Sequence, residues 1–263
     1  MTSRMPVVFF GHGSPMNALA DNAVTQAWAR IAGNMPRPRA ILCISAHWET
    51  RGTAVTAMEK PRTIHDFGGF PQALFDVQYP APGDPTLAAR VAGLLAPTPV
   101  AMDRDWGLDH GTWSVLRKAW PQADIPVVQL SLDVGLGLDA CVEIGRKLAP
   151  LRDEGVLIAG SGNIVHNLAL MNGQAPAGRG FDWAERFRAD IHRAIAGGAT
   201  ETVVHYDQFG QDGLLSVNSE EHFRPLLYVL GARSVDDGVR FENDHIELGS
   251  LSMTTVVFEP AAA

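Results

Sequence analysis

Nine histidines punctuate this chain, and five of them stand where an apolar run or a helix start meets Gly, Ser or an acidic residue. These are Gly11-His12-Gly13, Ser45-Ala46-His47, Asp109-His110-Gly111, Ile164-Val165-His166-Asn167 and Glu221-His222. Imidazole is the commonest side-chain metal ligand and titrates near neutral pH, so such a set suits a bound metal with an acid/base partner. No His-Glu-x-x-His is present, so the ligands must converge from distant segments. Taken singly, each has a plainer reading as a turn or helix-start histidine bonded to a carbonyl. His65 either meets a ligand, pairs with neighbouring Asp66 or faces solvent. His192 lies beside a helical apolar stripe and reads as structural, while His205 and His245 read as surface residues. Gly160-Ser161-Gly162 reads as a turn whose amides would suit an anion, but it lacks the lysine of a P-loop.

The elements that must carry these side chains follow from periodicity. Val7-Val8-Phe9-Phe10 reads as a buried strand that aims His12, and 40–45 is apolar on both faces, with His47 just past its end. Segments 125–131, 156–159 and 251–258 read as further strands, and 202–206 as a short edge strand. Helices are expected over 23–31 with Asp21 or Asn22 as cap, from Asp84-Pro85 through Leu95, over 114–120, 138–148 and 181–195 with Asp182 as N-cap, and in the apolar segment after Glu220-Glu221. Residues 50–84 hold no period and read as a cover over the site, with Phe67 and Phe70 as apolar wall. The alternation predicts one α/β domain over 1–263, a central mostly parallel or mixed sheet with helices on both faces. In such sheets sites form at the carboxyl ends of the strands.

A net charge of −8 argues against nucleic acid or an anionic membrane surface as partner. No apolar run approaches the roughly 20 residues needed to span a bilayer, and the residues before Pro6 are too few and too polar for a signal peptide. Cys43 and Cys141 read as reduced core thiols, so the expected location is the cytoplasm.

Six ordered motifs, Gly11-His12-Gly13-Ser14-Pro15, Ser45-Ala46-His47-Trp48, His65-Asp66-Phe67-Gly68-Gly69-Phe70-Pro71, Asp109-His110-Gly111, Gly160-Ser161-Gly162-Asn163-Ile164-Val165-His166-Asn167 and Glu221-His222-Phe223-Arg224-Pro225-Leu226, together resemble the class III extradiol ring-cleavage dioxygenases, in their DOPA 4,5-dioxygenase-like branch. The resemblance spans nearly the whole chain. It implies that His12, His47 and His222 bind one divalent metal, that His166 is the acid/base residue, with ligation by His166 as well left open, and that His110 orients substrate or dioxygen. Other branches use a carboxylate as third ligand; here the motif offers His222 with Glu221 adjacent. Fe(II) is the implied working metal, and three imidazoles also suit Zn(II). The implied partners are a catechol, with 3,4-dihydroxyphenylalanine (DOPA) foremost, and dioxygen. His65, Phe67, Phe70 and Trp113 are the candidate substrate contacts. A zinc hydrolase using the same histidines, or a non-catalytic relative that binds a partner, is the alternative.

Overall fold

In a computed structural model of the chain, which describes residues 4–261, one eight-stranded sheet runs through the molecule. Its strands are β1 (Val7–Gly11), β2 (Ala40–Thr50), β3 (Thr53–Thr56), β4 (Val100–Asp103), β5 (Val127–Asp133), β6 (Val156–Gly162), β7 (Gly238–Glu242) and, after the short pair β8 (Ile246–Glu247) and β9 (Leu251–Ser252), β10 (Thr255–Glu259). The order is β4-β3-β5-β2-β6-β1-β10-β7. The central β5, β2, β6 and β1 are parallel, while β3 meets β5, and β10 meets β1 and β7, antiparallel. The sheet is therefore mixed.

Alternation explains the layers. Val7 and Phe9 of β1, with Leu42 and Ile44 of β2, enter one core, and Val8 and Phe10, with Ile41 and Cys43, enter the other. Both faces of the central strands are dry, which is why these runs are apolar at every position; each such side chain contributes about 1.5–3 kcal/mol on burial. The helices are α1 (Ala23–Asn34), the single turn α2 (Gln72–Phe75), α3 (Pro85–Leu95), α4 (His110–Ala119), α5 (Leu138–Leu148), α6 (Asp182–Ala196), α7 (Thr200–Val204), α8 (Gly210–Ser216) and α9 (Arg224–Ala232). α1 and α4 cover one face; α3, α5, α6 and α9 cover the other.

Several expectations shift. β2 does not stop before His47 but runs to Thr50, because its pairing with β5 jumps from Ile44↔Leu130 to Glu49↔Leu132. Five steps on one strand oppose two on the other, and His47 sits in the excess. Residues 50–84 contain β3, whose four residues are all buried and so show no alternation. The helix expected over 114–120 starts at His110, since Asp109 accepts from the Thr112 amide as N-cap. Residues 202–206 are not a strand: 200–204 are helical despite the β-branched pair Val203-Val204. Phe181, not Asp182, is the N-cap of α6, and the last strand is split at Met253-Thr254 into β9 and β10. Gly160-Ser161-Gly162 is no anion-binding turn but the end of β6, its backbone paired to β1.

Polar groups are also buried at the amino ends of the parallel strands. Arg152, fully buried, donates from Nη1 and Nη2 to the Asp237 carboxylate at 2.7 and 3.1 Å, and from Nε to the Met5 carbonyl at 2.7 Å.

Candidate metal centre

At the opposite, carboxyl ends of β1, β2 and β6, the histidine-bearing segments meet. His12 follows β1 directly; its amide donates to the Gly162 carbonyl at 3.1 Å, and the His12 carbonyl accepts from Asn17 Nδ2 at 3.2 Å. His222 precedes α9 and its carbonyl accepts from the Asn163 amide at 2.9 Å. That seat exists because residue 162 is glycine: a Cβ there would overlap the His222 carbonyl oxygen. Gly111 likewise admits the His47 ring, since a Cβ would strike it and Ser45 Oγ.

His12 Nε2 and His47 Nε2 lie 3.2 Å apart, and the ring centroids of His12, His47 and His222 are 5.0–5.2 Å from one another. One ligand atom from each falls within 4.8 Å of the others. The hydrogen bonds orient the rings. Ser161 Oγ donates to the Gly111 carbonyl at 2.6 Å and therefore accepts from His12 Nδ1 at 3.0 Å, leaving Nε2 of His12 with its lone pair. His222 Nδ1 donates to Glu221 Oε1 at 3.0 Å, with the same result.

Burial first, and then the neighbouring imidazoles, hold His12 and His222 well below the ordinary histidine range, and burial followed by His110 takes His47 down to about 3. All three are thus neutral donors near pH 7. With Nδ1 of His12 and of His222 bonded to Ser161 and Glu221, their Nε2 lone pairs stand free beside the His47 ring, an arrangement that a cation would draw together. Tetrahedral ligands held about 2.0–2.1 Å from a metal stand about 3.3 Å apart, close to the spacing of the His12 and His47 nitrogens. The donor set fits a divalent metal.

Two further imidazoles flank this trio. His166 stacks on His222 with centroids 3.4 Å apart and planes 7° from parallel, and burial lowers its pKa to about 4. Donor atoms of His166, Glu221 and His222 also lie within 4.8 Å of one another. His110, first residue of α4, lies 3.8 Å from the His47 ring. Its amide and its Nδ1 both donate to Asp66, each at 2.9 Å. Burial alone would raise the Asp66 carboxyl, but the His110 ring and amide outweigh it and hold it below the usual range. Asp109 differs: burial and then Asp66 push it up, while Ser45 Oγ and Gln129 Nε2 donate to it at 2.7 and 2.6 Å, tying α4 to β2 and β5.

All five rings line one cavity of about 430 Å³, whose other walls are Pro15, Phe67, Phe70, Leu168, Met171, Leu248 and Leu251. Of the four substrate contacts expected from sequence, Phe67 and Phe70 face it. His65 and Trp113 do not. His65 Nε2 donates to the Val77 carbonyl at 3.0 Å, and Trp113, fully buried, donates to the Ile64 carbonyl at 2.7 Å. Both support Phe67 from behind, with centroids 5.8 and 6.1 Å away. Asp66 pairs with His110, not with His65. His192 bonds Asp244 at 3.1 Å and stacks on Phe241, while His205 is exposed. Sequence reading missed Leu168, Met171, Leu248 and Leu251 on the cavity wall, and Ser161 as an acceptor.

Residues 6–259 match the family described as the catalytic LigB subunit of aromatic ring-opening dioxygenase. The chain is 50% identical over 260 residues to a protein of Escherichia coli (strain K12) named 4,5-DOPA dioxygenase extradiol, covering 97% of this chain and 95% of that one. It is 40% identical over 232 residues to a protein of the same name from Beta vulgaris, covering 85% of each. A crystal structure of an uncharacterized protein from E. coli K12 superposes with a TM-score of 0.84 at 44% identity, covering 97% of this chain and 99% of the other. A five-histidine cavity on a mixed α/β sheet and a family match along almost the full length lead to one conclusion: this chain belongs to the LigB family of class III extradiol dioxygenases, non-haem metal enzymes that open aromatic rings.

Proposed function

We propose that the protein opens the ring of DOPA, or of a closely related catechol, between the hydroxylated C4 and the adjacent C5, with dioxygen as co-substrate. The observation that carries this reading is the convergence of three neutral imidazoles from remote elements on the floor of an apolar-walled cavity. In it, His12, His47 and His222 hold the metal, with Fe(II) as the working ion; Zn(II) suits the same donors. The bound metal supplies Lewis acidity toward the catechol oxygens and, as Fe(II), redox chemistry with dioxygen.

The remaining work falls to side chains. Phe67 and Phe70 press on the ring and keep water from it. His166, neutral near pH 7 because burial lowers its pKa to about 4, accepts a proton from the catechol hydroxyl and returns it as the ring opens. His110 meets substrate from the other side of the trio. The carbon–carbon bond beside the diol breaks and both atoms of dioxygen enter the product, a muconic semialdehyde that for DOPA is 4,5-seco-DOPA. The buried free thiols of Cys43 and Cys141 support a cytoplasmic location.

Reconstitution with Fe(II) or with Zn(II), followed by oxygen-electrode and absorbance assays with DOPA, tests the reading. Oxygen uptake and a yellow product are expected with iron only. Turnover that persists without oxygen in the zinc form would instead favour a hydrolase, and inertness toward every simple catechol would end the proposal.

A further inference from the structure

Each cavity histidine needs one ring nitrogen fixed if the other is to have a defined role, and His110 is fixed in an unusual way. Its partner Asp66 lies in the loop between β3 and α2, next to Phe67, and reaches α4 with both oxygens. Oδ1 accepts the His110 amide and Oδ2 accepts His110 Nδ1, each at 2.9 Å. Phe67 then stands edge-on to the same imidazole, with centroids 5.5 Å apart. One carboxylate therefore orients a ring that lines the cavity and anchors the segment that forms the cavity's aromatic wall.

We propose that Asp66 is a positioning residue for ring opening, acting through His110: it keeps the imidazole proton on Nδ1, so that Nε2 presents a lone pair to a substrate hydroxyl. The chemistry requires this direction, because a carboxylate only accepts and the bond to Oδ2 must be donated by the ring. The bond from the α4 amide to Oδ1 holds the carboxylate in the orientation that presents Oδ2 to the ring. The proposal rests on the ring-opening reading for the identity of the hydroxyl, but the proton's place on His110 follows from Asp66 alone.

Asp66→Asn separates orientation from mere contact. The amide keeps the shape, and with its oxygen on the His110 amide its nitrogen donates to Nδ1, which moves the ring proton to Nε2. Nitrogen NMR on the zinc-loaded protein with labelled histidine should show His110 protonated at Nδ1 in the parent and at Nε2 in Asp66→Asn. The iron-loaded variant should keep one metal per chain and a KM near the parent's while kcat falls on the order of 100-fold. Asp66→Glu, which retains an acceptor, should restore the parent tautomer and part of kcat.

A proton on Nε2 of His110 in the parent overturns the proposal without any substitution, and so remains decisive if Asp66→Asn fails to fold. Parent-like kcat in a metal-replete Asp66→Asn overturns it as well, as does a loss of activity explained by lost metal. A parent that consumes no oxygen with any catechol would remove the ring-opening reading, while the tautomer measurement would still judge Asp66.

Discussion

The two ends of the parallel strands bury polar groups in opposite ways. At the amino ends Arg152 and Asp237 are both sequestered, but each charge meets its counter-charge and the spare guanidinium protons find the Met5 and Ala232 carbonyls. At the carboxyl ends His12, His47 and His222 bring neutral imidazoles within 4.8 Å of one another at their ligand atoms. The first arrangement is complete within the chain. The second has donors to spare, and that asymmetry is what an ion site on these three residues would require.

The comparison breaks if substitutions at the two ends behave alike. The largest effect is expected for His12→Ala or His47→Ala. Metal analysis after dialysis should show loss of bound metal and assays should show no turnover, yet circular dichroism should show a folded chain. His166→Ala should retain most of the metal and lose about 100- to 10,000-fold in kcat; full activity would remove His166 from proton transfer. Arg152→Ala should do the reverse. Leaving Asp237 buried without its partner should cost about 3–5 kcal/mol of stability in a denaturant titration, with metal content unchanged in the folded fraction.

The smallest effect sharpens the comparison through pH. His47 and His166 have pKa values lowered to about 3 and about 4, so between these values and the unfolded value of about 6.5 the unfolded chain binds more protons than the folded one. The stability of the metal-free protein should therefore be fully present above that unfolded value and decline as pH falls toward 4. A melting temperature flat over that range would mean that the imidazoles are not held neutral.

How much of this was legible in the sequence depended on how local each signal was. The strands ending near His12 and His166 announced themselves because dry strands are apolar at every position. His110 and His222 stood beside helix starts whose acidic neighbours, Asp109 and Glu221, are local as well. β3 escaped because four buried residues carry no period, and 200–204 misled because tertiary packing overrode β-branched propensity. Leu168, Met171, Leu248 and Leu251 reach the cavity from segments that carry no pattern. Asp66 was visible, but adjacency in sequence offered it to His65, whereas the fold gives it to a residue 44 positions onward.

The mismatched register of β2 also constrains how this family member can vary. Because side chains along a strand alternate between faces, deleting one residue between Ser45 and Trp48 would shorten the excess without closing it and would turn the imidazole at 47 toward the opposite layer. The ring would then leave the cluster that it forms with His12 and His222. Length in this short stretch is thus as binding a requirement as the identity of the histidine itself.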